Sequence, residues 1–115
     1  MRRGEIVTVD LDPARGAEAN KTRPAVIVSN DTANSTAERL GRGVITVVPV
    51  TSSTGRVYPF QVLLPAGETG LARASKAQAE QVRSVSVGRV GRRVGRLPAG
   101  LLAELDRALR IHLSL

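Results

Sequence analysis

The sequence predicts a mainly β protein with short helices, an α+β chain built as a small barrel and finished by a C-terminal α-helix. Three observations lead there. Short runs rich in β-branched residues recur along the first half, each bounded by Gly, Pro, Asn, Asp or Ser. Helical periodicity with end signals is confined to two segments, one in the middle and one at the end. No internal repeat, low-complexity stretch or linker divides the 115 residues, so residues 1–115 read as one domain.

Taken in order, Glu5 to Leu11 reads as a strand with Val7, Val9 and Leu11 on one face and Ile6, Thr8 and Asp10 on the other. Asp12 to Thr22 holds Pro, Gly and Asn without an apolar period and reads as a long loop, the kind of segment that often carries function. Arg23 to Ser29 is a short, continuously apolar strand suited to the middle of a sheet, and Pro24 forces Arg23 toward extended backbone. Asn30-Asp31 can cap a helix over Thr32 to Leu40 that stops at Gly41. Gly43 to Thr51 is nearly all β-branched, with Pro49 near its end, and is the clearest strand signal.

Pro59 to Leu64 alternates as a strand, and Pro65 to Gly70 reads as a loop. Ala72 to Val85 divides the local rules. Its Ala, Lys, Gln and Glu favour a helix, whereas Val82 to Val87 alternates like a strand; propensity tips the local reading toward helix. Gly88 to Arg96 carries three Gly-Arg pairs and reads as a turn leading into a basic strand. Pro98 sits at a permitted first-turn position of a last helix, whose apolar stripe is Leu101, Leu105, Ala108, Leu109 and His112. On that stripe His112 reads as a packed core residue.

Composition narrows the chemistry. There is no cysteine and one histidine, which excludes disulfides, thiolate metal sites, a cysteine nucleophile and any design that needs two imidazoles. No metal or other cofactor is expected. The longest apolar run, Val44 to Val50, is too short to span a bilayer, and the charged start lacks the apolar segment of a secretory signal; the expectation is a cytoplasmic protein without membrane contact. Seventeen Lys and Arg against ten Asp and Glu give a net charge of +7, and fifteen of the seventeen cations are arginine. Arginine's planar fork suits phosphate, so a nucleic acid is the expected polyanion. Tyr58 and Phe60 are the only aromatics, too few to stack a run of bases.

What remains for chemistry is a set of arginines, hydroxyls and amides: Arg23 after the long loop, Thr51 at the end of the apolar strand, and Glu80, Gln81, Arg83 and Ser84 in one polar stretch. Cleavage of RNA by its own 2′-hydroxyl can run on such groups, because the protein needs only to position the phosphate, exchange protons and stabilise an anionic phosphorane. Structural readings stand beside this one. Arg23 can pair with Glu18, and Thr51 can simply start a turn.

In sequence order, Arg3-Gly4-Glu5-Ile6, Asp10-Leu11-Asp12-Pro13, Gly16-Ala17-Glu18, Arg23-Pro24-Ala25-Val26-Ile27-Val28-Ser29, Val48-Pro49-Val50-Thr51-Ser52, Tyr58-Pro59-Phe60-Gln61-Val62 and Ala79-Glu80-Gln81-Val82-Arg83-Ser84-Val85 resemble the MazF/PemK family of toxin endoribonucleases. The resemblance spans nearly the whole chain. It implies an SH3-like barrel of the PemK/CcdB type with a C-terminal helix, and it implies strand over Ala74 to Val85, against the local helix reading. It implies a toxin of a type II toxin–antitoxin system that cleaves single-stranded RNA without metal, at short motifs in mRNA with tRNA and rRNA as further candidates. The ends left would be 2′,3′-cyclic phosphate and 5′-hydroxyl, and the effect would be to inhibit translation and growth. By the same resemblance Arg23 and Thr51 are the catalytic residues, and Glu18, Ser52, Gln81 and Arg83 bind substrate or support the site. Arginine's high reference pKa makes stabilisation of the phosphate charge its safer physical role.

The family also implies a homodimer with an RNA groove at its interface, and a cognate MazE-like antitoxin whose acidic, disordered tail fills that groove. One departure is Val7, where many relatives have tryptophan; a ring used there on RNA or antitoxin is missing. Two other readings compete. A gyrase-poisoning toxin of the same fold would carry a Trp-Gly-Ile tail, whereas this chain ends His112-Leu113-Ser114-Leu115; a non-cleaving basic module would use Gly88 to Arg96 to hold intact RNA.

Overall fold

In the computed structural model, residues 1–12 and 21–115 are described. Glu18 and most of the expected long loop lie outside the described residues. The loop's two ends are strand: β1 runs Glu5–Asp12 and β2 runs Lys21–Ile27. Helix α1 follows at Asp31–Leu40, then β3 at Val44–Thr51, β4 at Gln61–Leu64, a one-turn helix α2 at Ala66–Thr69, and β5 at Ser75–Gln78. Strand β6 is Arg83–Ser86, β7 is Val90–Arg96, and helix α3 is Ala99–Leu113.

The strands make one antiparallel sheet in the order β4-β5-β3-β2-β1-β7, with β6 also on β3. As its unbroken apolar run predicts, β2 is central, between β1 and β3. The outer edge of β3 is shared: Val44 to Val47 pair with β6, and Val50 and Thr51 pair with β5. Pro49, which has no N–H to give, falls where the partner changes.

Each face of the sheet has its own core. Ile6, Val26, Val48, Val50, Val62 and Leu64 pack with Leu97, Leu105 and Ala108 beneath α3. On the other side Val7, Val9, Leu11, Ala25, Ile27, Ile45 and Val47 pack with Ala37 of α1. Asn30 caps α1 by accepting from the Ala33 N–H at 2.8 Å, and Gly41 ends it in the left-handed conformation at φ 66°. The outer edges of the sheet, β4 and β7, come together through the α2 turn. A Cβ on Gly95 would overlap the Thr69 carbonyl, so only glycine allows this approach.

Several expectations change. Ala72 to Val85 is not a helix: β5 and β6 are separated by a single 3-10 turn, Ala79–Gln81, in agreement with the resemblance and against propensity. Pairing with β3 and β4 decides it, because Ala77 and Lys76 each have a partner on both sides. Pro65 to Gly70 contains the α2 turn rather than only loop. His112 is exposed rather than packed in the core. Val7 is 3% exposed inside the α1-side core.

Candidate active site

Register brings the two principal candidates together. Ile27, Val26 and Ala25 of β2 pair with Val47, Val48 and Pro49 of β3, so Arg23 and Thr51 both lie just beyond the paired residues at the same end of the two strands. Both line a cleft of about 490 Å³ at this end of the sheet, with Pro24, Ser52, Ser53, Arg73 and Ser75 around it and buried Val50 and Leu71 among its lining residues. Its lining includes two arginines and no acidic residue among the described residues. Positive potential is therefore concentrated at a water-accessible mouth, the electrostatic setting for an anion.

Thr51 is half-buried, and its Oγ1 accepts from the Ser53 N–H at 3.2 Å. The turn-starting reading of Thr51 thus holds, and it serves the other one. With a lone pair engaged by the backbone, the hydroxyl proton is left to donate elsewhere. Arg23 is exposed at the cleft, and its proposed pairing with Glu18 falls outside the described residues.

Of the remaining candidates, Ser52 lines the cleft, whereas Gln81 and Arg83 do not. Gln81 is exposed on the 3-10 turn. Arg83 opens β6 opposite Val47, which puts it on the same face of the sheet as Arg23, and its Nη1 donates to the Leu11 carbonyl at 3.2 Å, where β1 nears its end. Sequence reasoning missed Arg73, Ser53 and Ser75. Ser53 follows Thr51 and Ser52 directly in the chain, whereas nothing local marks Arg73 and Ser75, which reach the cleft only when the β4–β5 connection and the start of β5 fold back against the end of β3.

Two further classes of chemistry can be weighed. Among the described residues no three His, Cys, Asp or Glu side chains cluster as metal ligands, and no helix is long and apolar enough to cross a membrane. Gly88 to Arg96 forms a 3-10 turn and then β7, an outer strand with Arg92, Arg93 and Arg96 exposed; Arg93 pairs with Glu5 at 3.0 Å. Charge on an outer strand also discourages pairing with other chains.

Comparison with known proteins places this arrangement. The chain is 67% identical to Endoribonuclease MazF9 of Mycobacterium tuberculosis, over all of this chain and 98% of that protein. The fold superposes on Mycobacterium tuberculosis toxin MazF-mt6 with a TM-score of 0.77 at 25% identity, covering 96% of this chain and 97% of that one. It also superposes on MazE-MazF from Deinococcus radiodurans with a TM-score of 0.78 at 29% identity, over 100% and 96% of the two chains. Residues 2–113 match the family described as PemK-like, MazF-like toxin of type II toxin-antitoxin system, and the chain belongs to that family.

Proposed function

We propose that this toxin is a metal-independent endoribonuclease that cuts single-stranded RNA at the Arg23–Thr51 cleft, acting from one 1–115 domain in the cytoplasm. The 2′-hydroxyl of one nucleotide gives up its proton as its oxygen bonds to the adjacent phosphorus, and the bond from phosphorus to the 5′-oxygen of the next nucleotide breaks as that oxygen takes up a proton. The products are a 2′,3′-cyclic phosphate and a 5′-hydroxyl. Charge gathers on the non-bridging oxygens as the fifth bond forms. The Arg23 guanidinium neutralises it, Thr51 donates its free hydroxyl proton to the same phosphate, and Ser52 and Arg73 hold the flanking backbone. Arg83 and Gln81 bind substrate further along, Arg83 from the same face of the sheet.

The observation that carries this reading is that Arg23 and Thr51, at the same end of neighbouring strands, line one opening. A charged fork and a pre-oriented hydroxyl on rigid strands are what phosphorane stabilisation requires. The test is to sequence 5′-hydroxyl ends of single-stranded RNA treated with the protein in EDTA. Cuts at a restricted set of sites with cyclic phosphate ends are expected; 5′-phosphate ends, or loss of cutting on chelation, overturn the mechanism.

The working form is a homodimer, and the partner that silences it is a MazE-like antitoxin with an acidic, disordered tail. The Deinococcus MazE-MazF structure supports the antitoxin assignment, and a +7 chain suits an acidic tail that competes with RNA for the same arginines.

A further inference from the structure

Only two aromatic rings exist in this chain, and the fold lays one on the other. Tyr58 and Phe60 are parallel to within 6°, with centroids 5.3 Å apart. Both belong to the connection between β3 and β4, and Tyr58 is 40% exposed. The guanidinium carbon of Arg56 stands 5.2 Å from the Tyr58 centroid. Cation and rings therefore form one layered surface on the outside of the protein.

That surface is braced from two sides. Gln61 accepts from the Tyr58 N–H at 3.2 Å and donates to Glu80 at 2.7 Å, which ties the connection to the 3-10 turn. Lys76 is buried and donates to the Arg56 carbonyl at 2.6 Å, with its ammonium 6.0 Å from the Tyr58 centroid. Burying an ammonium is costly, and holding one loop carbonyl is a small return unless that loop must keep its shape. Lys76 also occupies a telling position, for it faces Thr51 across the β3–β5 ladder. Lys76 is thus paired with a residue that lines the same cleft as Arg23, and the ring stack lies one lysine side chain away from that cleft.

We propose that Arg56, Tyr58 and Phe60 form a base-stacking subsite for a nucleotide flanking the scissile phosphate, with Lys76 as its positioning residue. The proposal rests on single-stranded RNA being the substrate. Every unpaired base offers a flat face, and bases stack on aromatic rings and on arginine planes alike. The parallel geometry favours a base over an acidic peptide, which would use the charge of Arg56 and leave the rings idle. Two rings suffice here because one base, held beside a phosphate fixed at Thr51, needs only one platform.

The test uses the full chain and a single-stranded RNA oligonucleotide with 2-aminopurine beside the cut site. On binding to the wild type the fluorophore should be quenched. Tyr58→Leu should raise KM by roughly ten- to hundredfold, with a smaller change in kcat, whichever base stands next to the cut. Tyr58→Phe keeps the ring and should restore the wild-type KM, while Lys76→Met should reproduce the KM effect of Tyr58→Leu. Unchanged KM in Tyr58→Leu overturns the subsite, as does weakened binding of an acidic peptide with RNA cleavage unaffected. If wild type neither binds nor cuts the RNA, the endoribonuclease reading itself fails, an outcome separate from a defect confined to the Tyr58 variant.

Discussion

The two halves of β3 differ in what surrounds them. From Val44 to Val47 the strand pairs with β6, and Ile45 and Val47 are sealed under α1. At Val50 and Thr51 the outer partner becomes β5, the residues that follow turn polar, and a cleft opens. In the first half Ile45 and Val47 are buried in the α1-side core. In the second, Val50 is buried in the α3-side core while Thr51, half-buried, lines the cleft. A strand can thus be scaffold at one end and site at the other, provided its neighbours change along its length.

Substitutions should separate the halves. Ile45→Ala, in the sealed half, should cost about 2–5 kcal/mol of stability in urea denaturation, with turnover per folded molecule unchanged; a cost under about 1 kcal/mol would mean that the sealed half is not the scaffold. Arg23→Ala, at the open end, should lower kcat by roughly 10²–10³ while the urea midpoint and circular dichroism stay at wild-type values. Full retained activity would misplace the site. Thr51→Val removes only the hydroxyl and should reduce kcat/KM by about ten- to a hundredfold through the loss of one hydrogen bond to a charged group, with Thr51→Ser recovering most of it. Asn30→Ala lies outside both halves and calibrates them: loss of the α1 cap should cost about 1 kcal/mol with no effect on cleavage rate.

Much of this architecture is written locally. A run such as Val44 to Val50 has few alternatives to a strand, and Asn30 with Gly41 marks both ends of α1 because each meets a geometric need of a helix terminus. Ala74 to Gln81 is the contrary case. Its residues prefer a helix, and only partners distant in the chain make β5 a strand. Gln61 shows the same dependence in one side chain, a polar residue buried because Glu80 and the Tyr58 backbone satisfy it. The site divides likewise. Arg23, Thr51 and Ser52 carry motif signals and the fold gathers them in one cleft, whereas Arg73 joins them by topology alone. Composition counts two aromatic rings, and only the fold shows that they meet.

Strand β1 takes β7 as its outer neighbour, with Glu5 opposite Arg96, and the Leu97 N–H bonds the Gly4 carbonyl at 2.8 Å. The first strand to leave the ribosome is thus completed by the last. Arg23 and Thr51 emerge well before Leu97, Leu105 and Ala108, which seal the core around Ile6. Such long-range closure delays folding until nearly the whole chain is available. For a toxin the order of synthesis is itself a safeguard, because a nascent or truncated chain holds the proposed cutting groups without the fold that aims them.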